Sequence, residues 1–254
     1  MKHWKLMILS LIVLVYGCDK EVTNPVEATT NLTEEEQMEI IASEIAADNG
    51  GVMADIQSAG EAANGGYGME KAAAFDTSFS NDWINYSLEL TFYNENGREQ
   101  ALYIKNKTDK IVYKSQLSGH YDSKAGRQSI SLNRSTTLEV AGIIDSVLTF
   151  NGSSTNTSDY EYTGLQTNLN VNSESTIDVE NLVINLTDLA YLPTSGKIEA
   201  TLTGNYTKDG VASDKTVDYS FNFKIEFNGS SQVKVTLNSG TTFTLDLQTG
   251  EISD

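Results

Sequence analysis

The chain has 254 residues, 35 acidic against 17 basic side chains, a formal net charge of −18 and a single cysteine. That charge opposes binding to nucleic acid and to anionic lipid headgroups, and one cysteine excludes a disulfide framework. With only His120 left beyond the N-terminal segment, a zinc or copper site is disfavoured and no cofactor or metal is expected.

Lys2 and Lys5 form a positive start, Leu6 to Val15 is an almost unbroken apolar run, and Tyr16-Gly17-Cys18 closes it. The run is short for a membrane span and stops before Asp19-Lys20-Glu21. Val15-Tyr16-Gly17-Cys18 resembles the lipobox of bacterial lipoproteins. The resemblance implies a signal peptide over residues 1–17, cleavage between Gly17 and Cys18, and acyl chains such as palmitate on Cys18. Each buried CH₂ contributes about 0.8 kcal/mol, so several chains give stable attachment. Cleavage takes away two lysines and no acid, leaving the mature chain more acidic still. Residues 18–32 are polar and read as a flexible tether.

The next stretch, 33–80, reads as a helical prefix and linker. Thr33-Glu34-Glu35-Glu36 is a capping-box pattern, and Met38, Ile41, Ala42 and Ile45 follow at helical spacing. Asn49-Gly50-Gly51 ends this helix as a glycine-rich cap and, closing a helix instead of opening one, is no phosphate cradle. A weaker helix is predicted from Val52 to Ala63, with Ile56 and Ala59 on one face, and residues 64–80 are predicted as linker.

From Trp83 the period changes to two, and 81–254 is predicted as an antiparallel β-domain. Ile84, Tyr86, Leu88, Leu90 and Phe92 alternate with polar residues, and Asn94–Gly97 is a turn. Further strands are predicted over Leu102–Ile104, Ile111–Leu117, Ser129–Val140, Val147–Phe150, Asp159–Tyr162, Thr167–Val171 and Leu182–Leu186, with a loop at Gly119–Arg127. The last third alternates most clearly: Ile198 to Tyr206, Val217 to Phe227, Val233 to Leu237 and Phe243 to Leu247, joined by turns at Lys208–Gly210, Asn228-Gly229 and Asn238–Gly240. The pentapeptide Phe-Asn-Gly-Ser-Ser occurs at 150–154 and again at 227–231, read as two uses of one turn.

The fold class that follows is mainly β: an antiparallel meander forming a sandwich, a barrel or a curled sheet, with a short N-terminal helical segment. A one-sided sheet of this size must cover its apolar face, which a sandwich, a barrel or a strongly curled sheet does; the prefix can plug an open end or pack on an edge.

No catalytic constellation stands out. Ser118, His120 and Asp122 lie close in sequence, but no nucleophile-elbow pattern accompanies them. Asp159 with Glu161, and Asp209 with Asp214, are acidic pairs of the kind that hold calcium in loops, without the spaced pattern of an EF-hand. Trp83, Tyr160 and Tyr162 can stack on sugars, but core or interface packing is the role expected of them.

The lipobox, the Glu-rich helix ending in Asn-Gly-Gly, the β-domain and the closing stretch Thr241–Ile252 together resemble uncharacterised bacterial lipoproteins. That resemblance implies an envelope location, on the outer membrane's periplasmic side or at the cell surface, and no activity. The expected function is a membrane-anchored, non-enzymatic binding or scaffolding domain. Its partners would be the membrane through the N-terminal lipid and a glycan or envelope protein, with no nucleic acid. The alternative is a carrier of lipid or another hydrophobic ligand inside a curled sheet.

Overall fold

The structure, a computed structural model, describes residues 32–65, 76–80, 84–122, 128–163, 168–186, 191–208 and 216–253. The signal segment, Gly17, Cys18, the tether up to residue 31, Trp83, Asp209 and Asp214 lie outside the described residues.

Helix α1 (Glu34–Ile45) begins with the capping box that its sequence announces. The Glu36 amide donates to Thr33 Oγ1 at 3.3 Å, and the Thr33 amide donates to Glu36 Oε2 at 2.8 Å. The helix stops at Ile45, earlier than Asn49-Gly50-Gly51, and a 3-10 turn (Ala47–Asn49) intervenes. Gly51 is required where the chain doubles back. Its amide donates to Ala46 O at 2.8 Å, and a Cβ there would lie 2.4 Å from the Ile45 carbonyl carbon. Helix α2 (Val52–Ala63) follows.

The strands are β1 (Asp76–Ser80), β2 (Ile84–Asn94), β3 (Glu99–Gln100), β4 (Thr108–Asp122), β5 (Gln128–Ala141), β6 (Val147–Thr163), β7 (Asn168–Asn185), β8 (Pro193–Lys208), β9 (Val217–Glu226), β10 (Gln232–Leu237), β11 (Thr242–Asp246) and β12 (Ile252–Ser253). They form one antiparallel meander in the order β1-β2-β4-β5-β6-β7-β8-β9-β10-β11-β12, with β3 paired to β2 outside that path. Among the described residues β1 and β12 do not pair with each other, so the sheet is not closed.

Several expectations are corrected. The strand expected over Leu102–Ile104 lies at Glu99–Gln100 instead, where β3 pairs with β2. β1 falls inside the residues assigned to the linker. Gly119 to Asp122 continue β4, in register with Leu132 to Ser129 of β5, where a loop was expected. The separate strands expected at 147–150 and 159–162 are one strand, β6, and those at 167–171 and 182–186 are one strand, β7. The two Phe-Asn-Gly-Ser-Ser copies differ: Asn228-Gly229 is a turn, whereas Asn151-Gly152 lies within β6 at a register shift against β7. There Gly152 takes φ 152° and Asn181 φ 48°, and the Asn181 amide donates to Asn151 Oδ1 at 2.9 Å. A Cβ on Gly152 would stand 2.1 Å from Thr137 O.

One buried cluster joins the inward residues of β2 through β11 to both helices. Ile40 to Ala46 are buried without a break, which places the second half of α1 inside the protein. Contacts reach the helices from several sides. α2 packs on β4, β5 and β6, and α1 on β12. The Tyr103 hydroxyl donates to Ala63 O at 3.2 Å, and the Ala47 and Asp48 amides donate to Leu247 O and Gln248 O at 2.9 and 2.8 Å. The sheet is therefore curled around the helices, which form part of the core. Among the described residues no helix is long and apolar enough to cross a membrane.

Candidate functional site

Two places concentrate polar chemistry: the seam between the helices and the inward face of the sheet, and the opposite, solvent face of the central strands.

The seam is organised by two carboxylates. Asp55 on α2 is 4% exposed. Its Oδ1 accepts from Ser115 Oγ at 2.8 Å and from the Tyr113 hydroxyl at 3.2 Å, and its Oδ2 accepts from Thr136 Oγ1 at 2.8 Å. Arg134 Nε lies 3.1 Å from Oδ2 as a charge contact without the geometry of a hydrogen bond. Ser154 stands 2.9 Å behind Thr136, and the Tyr86 hydroxyl 3.0 Å from that of Tyr113. Burial first, and then the adjacent Asp55 charge, hold the Tyr113 phenol far above its ordinary value, so it remains a donor.

Glu44 on α1 is 1% exposed. It accepts from Ser175 Oγ at 2.7 Å, from Asn156 Nδ2 at 3.0 and 3.1 Å, from Ser158 Oγ at 3.4 Å, and from the Tyr160 hydroxyl in a short contact. These donors come from β6 and β7. Tyr219 lies beside the group on β9; burial, with the Glu44 charge adding to it, pushes its phenol up to about 12.

Each carboxylate is enclosed by hydroxyl and amide donors and shut off from water, so neither has a route to a substrate proton. Both nodes therefore join elements together and are not acid–base pairs. Sequence reasoning passed over Glu44, Asp55 and Arg134. Their signal lies in placement: Asp55 shares the i, i+4 face of Ala59, and Arg134 falls on the inward register of Leu132 and Leu138.

The solvent face carries the other candidates. His120 is exposed on β4, with Nδ1 3.0 Å from Ser131 Oγ and Nε2 3.3 Å from Ser129 Oγ. Both ring nitrogens face β5 hydroxyls, and the structure does not assemble His120, Ser118 and Asp122 into a triad. Asp159 and Glu161 are exposed on the same face of β6. No cluster of three metal-ligating side chains occurs among the described residues. Tyr160, considered for sugar stacking, points inward to Glu44.

Two shallow depressions adjoin on this face. One, of about 610 Å³, is walled by Asn133, Thr157, Asp159, Asn172, Glu174, Thr203, Asn205 and Asp218, with Asn172 Nδ2 donating to Asn205 Oδ1 at 3.2 Å. The other, of about 420 Å³, is walled by Thr176, Asp178, Glu199, Thr201, Asn222, Lys224, Thr236 and Asn238. Lys197 pairs with Glu180 and Glu199, and Lys224 with Glu226, so these neighbouring cations are partly neutralised. The walls of the two depressions present mainly short hydroxyl and amide side chains among carboxylates.

Compared with known proteins, the chain matches no family model, no curated protein and no solved structure.

Proposed function

We propose that this chain is a lipid-anchored protein of the bacterial cell envelope whose β-domain is a non-enzymatic binding or scaffolding module. The anchor is read from Leu6–Val15, Gly17 and Cys18, and residues 18–32 serve as the tether. The observation that carries the binding reading is the division of labour between the two faces. Both helices and the buried carboxylates Glu44 and Asp55 occupy the inward face. The solvent face of β4 through β10 offers a broad array of Ser, Thr, Asn and carboxylate groups.

The test has two parts. Intact-mass analysis of membrane fractions should find a chain beginning at Cys18 and carrying acyl mass, and Cys18→Ser should release it. The mature Cys18→Ser protein should then retain envelope material in a pull-down. An unmodified full-length chain in the cytosol would refute the anchor; an envelope pull-down that retains nothing would refute the binding role.

A second reading, carriage of a lipid or another hydrophobic ligand, is favoured by one feature: the sheet is not closed, and most of its inward side chains are apolar. It requires α1 and α2 to leave their places, and it predicts lipid co-purifying with the mature protein, detectable by mass spectrometry.

A further inference from the structure

Asn-Gly steps occur at 49–50, 64–65, 96–97, 151–152 and 228–229, and all of them lie among the described residues. Glycine has no Cβ, so its backbone nitrogen lies open to the carboxamide carbon of the asparagine before it. Attack needs two freedoms. The carboxamide must swing until Cγ meets the following nitrogen, and the glycine amide must leave its own hydrogen bond.

Four of the steps are held. Asn49 Nδ2 donates to Ala42 O at 3.4 Å, and Asn64 Nδ2 to the Tyr191 hydroxyl at 3.5 Å. Asn151, within β6, is tied to β7, where the Asn181 amide donates to its Oδ1 at 2.9 Å. Asn228 Oδ1 accepts from the Ser230 amide at 3.1 Å, and the Gly229 amide donates to Pro193 O of β8 at 2.9 Å.

Asn96 differs. It is exposed at the tip between β2 and β3, and among the described residues its carboxamide has no hydrogen-bond partner. Asn94 organises the turn in its place, accepting from the Asn96 and Arg98 amides at 3.0 Å each. The Gly97 amide donates to Asn94 O at 2.8 Å. That bond lies within the same exposed turn, so local fraying frees the nitrogen without parting another strand pair. Gly97 takes φ 70°, and a Cβ there would meet nothing within 4 Å, which leaves room for a ring to close.

We infer that Asn96 is a site of spontaneous deamidation, distinguished from the other Asn-Gly steps by the fold. The Gly97 nitrogen bonds to Asn96 Cγ, the Cγ–Nδ2 bond breaks, and Nδ2 leaves as ammonia with the proton that the Gly97 nitrogen gives up. Water then opens the imide at either carbonyl. One opening yields aspartate and the other isoaspartate, so the net change is water consumed and ammonia released. Both products place a new negative charge next to Glu95. Isoaspartate also adds a carbon to the backbone, which disturbs the pairing of Tyr93 with Glu99 and Phe92 with Gln100.

The test incubates mature protein (Cys18→Ser) in mildly alkaline buffer at physiological temperature, with a parallel sample in concentrated urea. Peptide mapping by mass spectrometry follows the amide-to-acid mass gain at each Asn-Gly step. In the native sample Asn96 should convert first and outpace each of the other steps. In urea, where the ties are gone, the steps should convert at similar rates. Asn96→Gln should remove the leading acidic variant seen on isoelectric focusing of the aged native protein. Equal conversion of all steps in the native sample, a different step leading, or an acidic variant that survives Asn96→Gln would overturn the inference. So would Asn96 leading by the same margin in urea, because its preference would then come from its sequence neighbours and not from the fold.

Discussion

Asp55 and Arg134 meet with side chains 5% and 3% exposed, yet they do not depend on each other equally. Without Arg134, Asp55 keeps three hydroxyl donors. Without Asp55, Arg134 Nε loses its charge contact, and a buried guanidinium is left without a carboxylate. Asp55→Ala should therefore cost about 3–5 kcal/mol and Arg134→Ala distinctly less. Urea unfolding monitored by circular dichroism measures both, and equal losses would contradict the asymmetry. The two raised phenols give a pH dependence with a definite sign. Tyrosine in the unfolded chain ionises near 10, while Tyr113 and Tyr219 hold their protons to higher pH in the folded protein. The folded state then binds more protons than the unfolded state. Stability is intact below about pH 10 and falls above it, by up to about 1.4 kcal/mol per pH unit for each group. The part due to Tyr219 levels off near 12. Urea midpoints across the alkaline range should decline accordingly, and Tyr113→Phe should flatten the decline. A midpoint independent of alkaline pH would contradict it.

Among the elements, β8 and β9 show how a missing side chain serves packing. Gly204 lies between Ser173 of β7 and Tyr219 of β9 in register. A Cβ there would be 2.0 Å from Asn172 O and 2.9 Å from the Tyr219 hydroxyl oxygen. Tyr219 thus covers the glycine and donates to Asn172 O at 3.4 Å. Gly204→Ala must displace backbone and should lower stability by about 2–4 kcal/mol, read as a shift of the thermal midpoint; a neutral substitution would refute the packing. The same strands explain how much of the fold was legible in sequence. In β8 through β11 apolar residues, among them the buried Ile198, Leu202, Phe223, Val235 and Leu245, alternate with polar ones in the sequence, so the apolar period of two announces these strands directly. β6 and β7 also alternate in burial, but their inward middles are Ser154, Asn156, Ser158, Ser173 and Ser175. These small polar residues face the helix carboxylates, and the hydrophobic signal vanishes where the strand is most enclosed. Each long strand therefore reads as two short ones. The capping box of α1 was legible because it is local. The Glu44 and Asp55 nodes were not, because their partners lie 58 or more residues away. The solvent-face depressions are no more visible in sequence, since they arise from the register of several strands.

At the scale of the whole molecule, the helical prefix belongs to the β-domain. Beginning the chain at Asp76 would leave Arg134 without Asp55, Ser175 and Asn156 without Glu44, and the apolar inward face without its helical cover. Such a truncation should show no cooperative unfolding transition; a sharp one would contradict the shared core. With its inward face covered by the helices, the sheet offers a ligand its solvent face. Hydrogen exchange of the mature protein in native buffer, read by mass spectrometry, tests this most directly. The account predicts that amides of Ile41–Ile45 and around Ile56 exchange as slowly as those of Phe221–Ile225 in β9, through global unfolding. Fast exchange of both helices while β9 stays protected would mean that the prefix opens by itself, and the inward face, not the solvent face, would then be the place to look for a ligand.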